Sequence, residues 1–234
     1  MEAIASQLLA KEQNGEFIEQ LTDEWYNIRR TMFTASEIAS VLECNIYQTK
    51  YDVLMKKLLP IEHISNEATE WGRMFESVAV EFYEFIQKEK VYSIGLVTHP
   101  KHKWIGASPD GLLLSGKLLE IKCPIRRNIG GEIPLYYWIQ MQIQMEVCDM
   151  NTCDYFECKF HRYNTEEEYN DDVESANIQN FITYNDKKIY YKLLNTSLKT
   201  VKRDKKWFST SLIKLSDVYD KLLHYQNLEN EFLN

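Results

Sequence analysis

A chain of 234 residues with 44% hydrophobic side chains is long enough for one large domain around a continuous core. Its formal net charge of -8 excludes a protein that coats nucleic acid through bulk attraction, because that mode needs many cations facing phosphates. No run of 18 apolar residues occurs, and no basic segment followed by an apolar stretch opens the chain. Neither a membrane span nor a secretory signal is therefore expected, and the reading is a soluble intracellular protein.

The predicted elements begin with helices. In "TASEIASVLE" Thr34 and Glu37 form a T-x-x-E capping box ahead of an apolar stripe, which places Thr34 at a helix N-cap with first-turn amides open to an anion. From Asn66 to Glu89, Ala68, Trp71, Phe75, Val78, Ala79, Phe82 and Ile86 recur at three- and four-residue steps, so a long helix with one buried face is predicted. Glu76 lies beside that face. The period then changes: "YSIGLVTHP", "KWIGAS", "GLLLS" and "KLLEIKCP" are short apolar runs split by Pro, Gly and Asp, which read as consecutive strands. "PLYYWIQMQIQMEV" reads as a helix, "TCDYFECKF" as another strand, and the chain from "KKWFSTSLIKL" onward has helical spacing again. With no repeat, low-complexity segment or Pro/Gly linker, residues 1–234 read as a single domain.

Other residues invite interpretation. The five cysteines are odd in number and lack a CxxC pair, which fits reduced thiols; Cys148, Cys153, Cys158 and His161 are the zinc or iron–sulfur alternative to cysteines alternating in a strand. His99 and His102 flank a turn and read as solvent-exposed, whereas Tyr137 and Trp138 read as core beside a sheet. Charge is segregated. Asp186 to Lys206 carries seven lysines and one arginine against two aspartates, a sum of +6, and the stretch preceding it in the chain, "TEEEYNDDVESAN", is strongly acidic. The simpler reading of each run is a solvated face.

The stretch "SPDGLLLSGKLLEIKCP", residues 108–124, places Asp110, Glu120 and Lys122 among leucines. In a strand Leu118, Glu120 and Lys122 share one face while Leu119, Ile121 and Cys123 share the other. Both faces are apolar enough to be covered, and burying Glu120 and Lys122 without partners is costly. A hard divalent cation resolves the difficulty: Asp110 and Glu120 can converge on it, with the Ile121 carbonyl as a further oxygen ligand. Lys122 can then hold or help deprotonate a water beside the metal, and the chemistry is metal-assisted hydrolysis of a phosphodiester. The simpler alternative is a surface hairpin with a chance Glu–Lys pair.

Pro109-Asp110 with Glu120-Ile121-Lys122 resembles the PD-(D/E)xK nuclease motif. Neighbouring segments resemble its lambda exonuclease or YqaJ-type viral recombination branch, in that branch's order. "EWYNIRRTMFTASE" (24–37) is similar to W-x-x-x-R followed by T-A-S-E, and "EWGRMFESVA" (70–79) to the W-G-x-x-x-E helix. "ASPDGLL", "LEIKCP" and "YYWIQMQIQMEV" are similar to S-P-D-G, E-x-K-C-P and the Y-x-x-Q-x-Q helix, and "VKRDKKW" more weakly to a closing basic-acidic stretch.

The resemblance implies an α/β restriction-endonuclease-like fold, a central mixed sheet flanked by helices. It implies metal binding by Glu76, Asp110 and Glu120, to which the strand reading above adds the Ile121 carbonyl, with Mg2+ as one or two ions and Mn2+ as a substitute, Lys122 as the catalytic lysine and Gln140 positioning the site. Gln142 belongs to the same pattern, but two residues along a helix point about 200° apart, so it and Gln140 are not expected to do the same work. Arg29 and Ser36 match the 5′-phosphate region, with Ser108 as a further candidate contributor; Arg126 and Arg127 lie near a further arginine of the family without matching its register. The implied function is a metal-dependent 5′ to 3′ exonuclease acting on double-stranded DNA ends and leaving 3′ single-stranded tails. The implied partners are a single-strand annealing protein and further copies of the chain in a trimeric ring; the Lys187 to Lys206 run is expected to face the channel of that ring or the incoming duplex. Its place would be intracellular, in the host cytoplasm or nucleus if the source is viral. The alternatives are a PD-(D/E)xK endonuclease or flap nuclease, and a catalytically idle DNA-end-binding module that loads the annealing partner; an iron–sulfur Cas4-type nuclease is disfavoured by the cysteine spacing.

Overall fold

The computed structural model describes residues 1–59, 66–172 and 180–233. Helices α1 (Glu2–Gln13) and α2 (Asp23–Arg29) lead to β1 (Phe33–Thr34) and α3 (Ala35–Val41). α3 starts at the predicted cap: the Glu37 carboxylate accepts from Thr34 N at 2.9 Å and from Thr34 Oγ1 at 2.8 Å. α4 (Lys50–Leu58) opens in the same manner, with Thr49 N donating to Asp52 Oδ2 at 2.8 Å. α5 (Glu67–Gln87) is the long helix, capped by Asn66 Oδ1 accepting from Thr69 N at 2.9 Å and ended by Lys88 in the left-handed region at φ 54. Its buried stripe is Met74, Phe75, Val78, Ala79 and Tyr83. Ala68 and Ile86, expected on that stripe, are exposed in the end turns.

The strands follow as β2 (Val91–Tyr92), β3 (Val97–Thr98), β4 (Ile105–Ala107), β5 (Gly111–Leu113) and β6 (Lys117–Lys122), then α6 (Leu135–Val147), β7 (Thr152–Arg162), α7 (Glu166–Asp172), β8 (Phe181–Tyr184), β9 (Lys187–Lys202) and α8 (Lys205–Leu233). The consecutive short strands do not share one sheet. β3 and β4 join β1 in a three-stranded sheet, while β2, β5 and β6 belong to a six-stranded sheet ordered β2-β5-β6-β7-β9-β8. β6 and β7 run parallel with α6 as their crossover, and the other pairs of the large sheet are antiparallel, so the sheet is mixed. Gly111 lets β5 approach β2, because a Cβ there would lie 2.4 Å from Val91 Cγ1.

Both faces of β6 are covered, as its alternation predicts. Leu118 packs with Leu112, Ile139, Ile143, Cys153 and Tyr155 on the α6 side. Leu119, Ile121 and Cys123 pack with Phe75, Val78 and Phe156 on the α5 side. Burial on both faces raises the stake on every polar side chain of the strand. Cys148, Cys153 and Cys158 are buried free thiols, and among the described residues no group of three or more His, Cys, Asp or Glu side chains lies at metal-holding spacing. Among them too, no helix is long and apolar enough to cross a membrane. The acidic stretch of residues 165–177 is α7 up to Asp172, and its remainder lies outside the described residues.

His99 corrects its expectation. It is 4% exposed, its ring stacks on Phe208 with centroids 5.7 Å apart, and Nδ1 accepts from Lys101 N at 3.1 Å and His102 N at 2.9 Å. The turn points the ring inward under α8, and both accepted bonds require Nδ1 to be unprotonated. Burial lowers its pKa, His102 adds to this, and Glu146 opposes it. A histidine with a depressed folded pKa binds its proton more tightly when unfolded, so its contribution to stability is full above about pH 6.5 and is lost as pH falls below that. We expect the denaturation midpoint to fall between pH 7 and pH 5, and His99→Gln to lack that share of the pH dependence; equal profiles would remove His99 as its source.

Candidate active site

Glu120 is the centre of the site. It is 0% exposed, and three donors hold its carboxylate. Lys122 Nζ, two residues along the same strand face, donates to Oε1; Gln140 Nε2 reaches Oε1 at 2.6 Å, and Gln144 Nε2 reaches Oε2 at 2.6 Å. Attraction to Glu120 and Asp110 outweighs the burial that would lower the Lys122 pKa and leaves it well above the usual lysine range, so the ammonium is the stable form. In this arrangement Lys122 donates and carries charge. Its Nζ also lies 4.9 Å from the centroid of the Tyr137 ring. Tyr137, expected in the core, is half-buried and faces the site; Trp138 is half-buried too and meets Trp207 edge-on.

Asp110 enters from the turn before β5, where its Oδ2 accepts from Ile121 N at 2.7 Å. Gln20 braces this turn by donating to Ile94 O at 2.9 Å and Pro109 O at 3.3 Å. Burial raises the Asp110 pKa well above the aspartate range; Glu120 and Glu76 add to the rise, and Lys122 opposes it. Glu76, on α5, has an exposed side chain, yet the surrounding protein raises its pKa by desolvation, with Lys122 opposing and Glu120 adding. The three carboxylates are thus close enough to repel one another, with one ammonium among them. That surplus of negative charge suits a divalent cation. The side chains are turned to other partners, Glu120 to Lys122 and the two glutamines and Asp110 to an amide, consistent with the absence of a ready-made cage among the described residues.

A second cluster adjoins this one through Ser108. Ser108 Oγ accepts from Trp25 Nε1 at 3.1 Å, and the Arg29 guanidinium, one helical turn after Trp25, lies 4.0 Å from its ring centroid. Arg29 Nη2 also donates to Thr34 Oγ1 at 3.3 Å, which is 3.4 Å from Ser36 Oγ. Arg29, Ser36 and Ser108, assembled from three separate segments, therefore meet around Trp25 and Thr34, and Ser108 is two residues from Asp110.

The loop after Lys122 separates the two arginines. Arg126 points outward to Glu67 at 3.4 Å, with its side chain 86% exposed. Arg127 turns in to Glu157 at 2.6 Å and to Tyr155 Oη at 3.2 Å, with the Tyr137 ring 6.0 Å away. β7 fastens this loop. Lys159 Nζ donates to the carbonyls of Pro124, Ile125 and Arg127, and Gly130 N donates to Glu157 Oε2 at 3.0 Å. None of this was read from the sequence, because alternating Glu157 and Lys159 look like an ordinary solvent-facing strand.

Gln142 is a correction. It is 1% exposed and joins β9 to α8, donating to Lys202 O at 2.9 Å and accepting from Asp204 N at 2.6 Å. Buried with both ends paired, it offers no free polar group at the surface, unlike the surface position expected of a DNA contact. The residue missed is Gln144, whose signal was present: it follows Gln140 by four, and such residues share a helix face whereas Gln142 does not. Arg203 is likewise withdrawn from the basic run, because it pairs with Glu146 and Asp149 at 2.7 Å each.

A mixed sheet flanked by helices, with a Glu-x-Lys strand covered on both faces, is the restriction-endonuclease-like α/β fold. The YqaJ-like viral recombinase domain model matches residues 24–151, and the chain belongs to that family. An uncharacterized protein of Acanthamoeba polyphaga mimivirus is 34% identical over 172 residues, 64% of this chain and 31% of that one. A protein of African swine fever virus is 31% identical over 156 residues, 53% of this chain and 45% of that one. The chain thus spans less than half the length of these relatives. An alkaline exonuclease from Laribacter hongkongensis superposes with TM-score 0.65 at 24% identity, covering 91% of this chain and 98% of that one. Its complex with dAMP gives 0.64 at 25% identity over the same shares.

Proposed function

We propose that the chain is a metal-dependent 5′ to 3′ exonuclease on double-stranded DNA ends, leaving 3′ single-stranded tails. The observation that carries this reading is the Glu120–Lys122 pair at the end of β6, its carboxylate buried and held by Gln140 and Gln144, set among Asp110 and Glu76. A protein that only binds DNA has no use for buried carboxylates set against one another, since their repulsion costs stability. Membership of the YqaJ family and the fold shared with an alkaline exonuclease support the same reading.

Glu76, Asp110, Glu120 and the Ile121 carbonyl would hold Mg2+ as one or two ions, with Mn2+ as a substitute. When bound, the metal supplies Lewis-acid stabilisation of the phosphoryl oxygens and an activated water. Lys122 brings a fixed ammonium to charge developing on the scissile phosphate, and Gln140 and Gln144 keep the Glu120 carboxylate, and through it Lys122, in place. Arg29, Ser36 and Ser108 receive the terminal 5′ phosphate, and Arg127, the inward-facing arginine of the loop after Lys122, serves the phosphate backbone from the Tyr137 side of the site. Exposed Lys187, Lys188, Lys202, Lys205 and Lys206 face the duplex, in a trimeric ring that offsets the net charge of -8 by lining one channel with cations. A single-strand annealing protein takes up the tail.

The test is digestion of linear duplexes with and without a 5′ phosphate, beside closed circular DNA, in Mg2+ or EDTA. The reading requires Mg2+-dependent loss of linear DNA, faster from phosphorylated ends, with the circle intact. Cutting of the circle moves the protein to the endonuclease class, and binding of ends without cleavage in any divalent metal makes it a loading module.

A further inference from the structure

Arg29 holds its charge in a half-buried position, and among the described residues no carboxylate is bonded to it. One is within reach. Thr34 Oγ1, which accepts from Arg29 Nη2 at 3.3 Å, donates in turn to Glu37 Oε2 at 2.8 Å, so one hydroxyl separates the guanidinium from the carboxylate. Arginine prefers a bidentate carboxylate to a single hydroxyl, and an unengaged Glu37 would draw it in. Glu37 is engaged by a lysine from a different helix. Lys57 Nζ on α4, with its side chain 2% exposed, donates to Glu37 Oε1 at 3.1 Å, to Glu37 Oε2 at 3.0 Å and to the Arg29 carbonyl at 2.7 Å. One buried ammonium therefore fixes both the competing carboxylate and the backbone of the arginine.

We infer that Lys57 is a positioning residue: it occupies Glu37 so that the Arg29 guanidinium stays free for a terminal phosphate. This rests on the 5′-phosphate reading above. Burial lowers the Lys57 pKa and Glu37 opposes that; burial would raise the Glu37 pKa, and Lys57, Arg29 and the Thr34 amide together outweigh it. The pair is thus ionised and each charge depends on the other. With Lys57 gone, Arg29 is the nearest replacement cation, and pairing with Glu37 removes it from the substrate. An isolated defect in phosphate recognition follows, in a residue that touches no substrate.

The experiment measures initial rates of the full chain on linear duplexes with 5′-phosphate and 5′-hydroxyl ends, for wild type, Lys57→Met and the double variant Lys57→Met/Glu37→Gln, with melting temperatures alongside. Lys57→Met should lower the phosphate-to-hydroxyl rate ratio at least about tenfold, the scale of one charge-assisted contact, while the hydroxyl rate stays near wild type. The double variant should regain the ratio, because no carboxylate is left to capture Arg29. A Lys57→Met loss shared equally by both substrates, or a double variant that fails to regain the ratio, overturns the inference. If Lys57→Met melts below the assay temperature, the double variant decides: a wild-type ratio supports the role and a ratio near one removes it. A wild-type ratio of one sinks the phosphate reading and this inference together, whereas a wild-type preference that Lys57→Met leaves untouched sinks the inference alone.

Discussion

Lys122→Met should slow DNA cleavage by about 10²- to 10⁴-fold while the variant still binds duplex ends, because the ammonium acts on charge that develops in the transition state. The substitution keeps the aliphatic stem along Tyr137 and leaves Glu120 with the Gln140 and Gln144 donors, so the strand retains its packing. Glu120→Gln and Asp110→Asn belong to the same set and are better probes than alanine. Alanine at Glu120 would leave Lys122 and two amides without their acceptor, and a fall in stability would then mimic a loss of chemistry. Asp110→Asn keeps an oxygen for the Ile121 amide and removes only the charge. Single-turnover rates in Mg2+, end binding in EDTA and melting temperatures separate the two effects. Activity within tenfold of wild type for any of the three would remove that residue from the reaction. Glu76→Ala is expected to lose most activity and to regain part of it in Mn2+, which tolerates a poorer ligand set; wild-type behaviour in both metals would make Glu76 an ordinary surface acid of α5.

The parts of this site that could be read in advance are those governed by local periodicity. Strand alternation alone placed Glu120 and Lys122 on one face of β6 and Ile121 and Cys123 on the other, and the two core clusters divide along that line. The capping box fixed the start of α3, because both of its partners lie within four residues. What escaped depends on contacts distant in sequence. The separation of β3 and β4 from β5 and β6 follows from pairing with β1, some seventy residues earlier, and no local signal carries it. The basic stretch after Asp186 looked like a solvated face, yet Ile189 and Tyr191 turn inward while the lysines turn out, and it becomes the long β9. His99 is buried because α8 brings Phe208 over it, more than a hundred residues later. Lys57 was equally invisible: a lysine in a helix with flanking charges reads as surface, and only the docking of α4 against α3 makes it a buried counter-ion. Gln144 is the instructive exception, since its four-residue spacing from Gln140 was legible and a motif containing Gln142 drew attention away from it.

Arg29→Ala should slow digestion of 5′-phosphorylated DNA by roughly 10- to 150-fold, the equivalent of about 1.5–3 kcal/mol for a lost charge-assisted contact. Digestion of 5′-hydroxyl DNA should slow much less, because that contact is already missing there. The geometry favours recognition over scaffolding. The guanidinium lies on the Trp25 ring and takes only the Thr34 hydroxyl, while the neighbouring carboxylate is held by Lys57, so most of its donors are left for an oxyanion. Burial lowers the Arg29 pKa against the pull of Glu37 and Tyr26, and a phosphate would return the solvation that the guanidinium gives up. The Trp25 indole connects this anion site to Ser108 and so to Asp110, and binding energy from the terminal phosphate can be used to seat the scissile bond beside the carboxylates. The competing account is structural: Arg29 packs on Trp25, and its removal loosens α2 and slows both substrates alike. Arg29→Lys discriminates further, since an ammonium keeps the charge but loses the fork and the flat stacking face. It should recover part of the rate on phosphorylated ends and change little on hydroxyl ends. Initial rates on both substrates, with melting temperatures for each variant, decide the matter: equal fractional losses on the two ends would sink the phosphate pocket and shift the assignment toward an endonuclease.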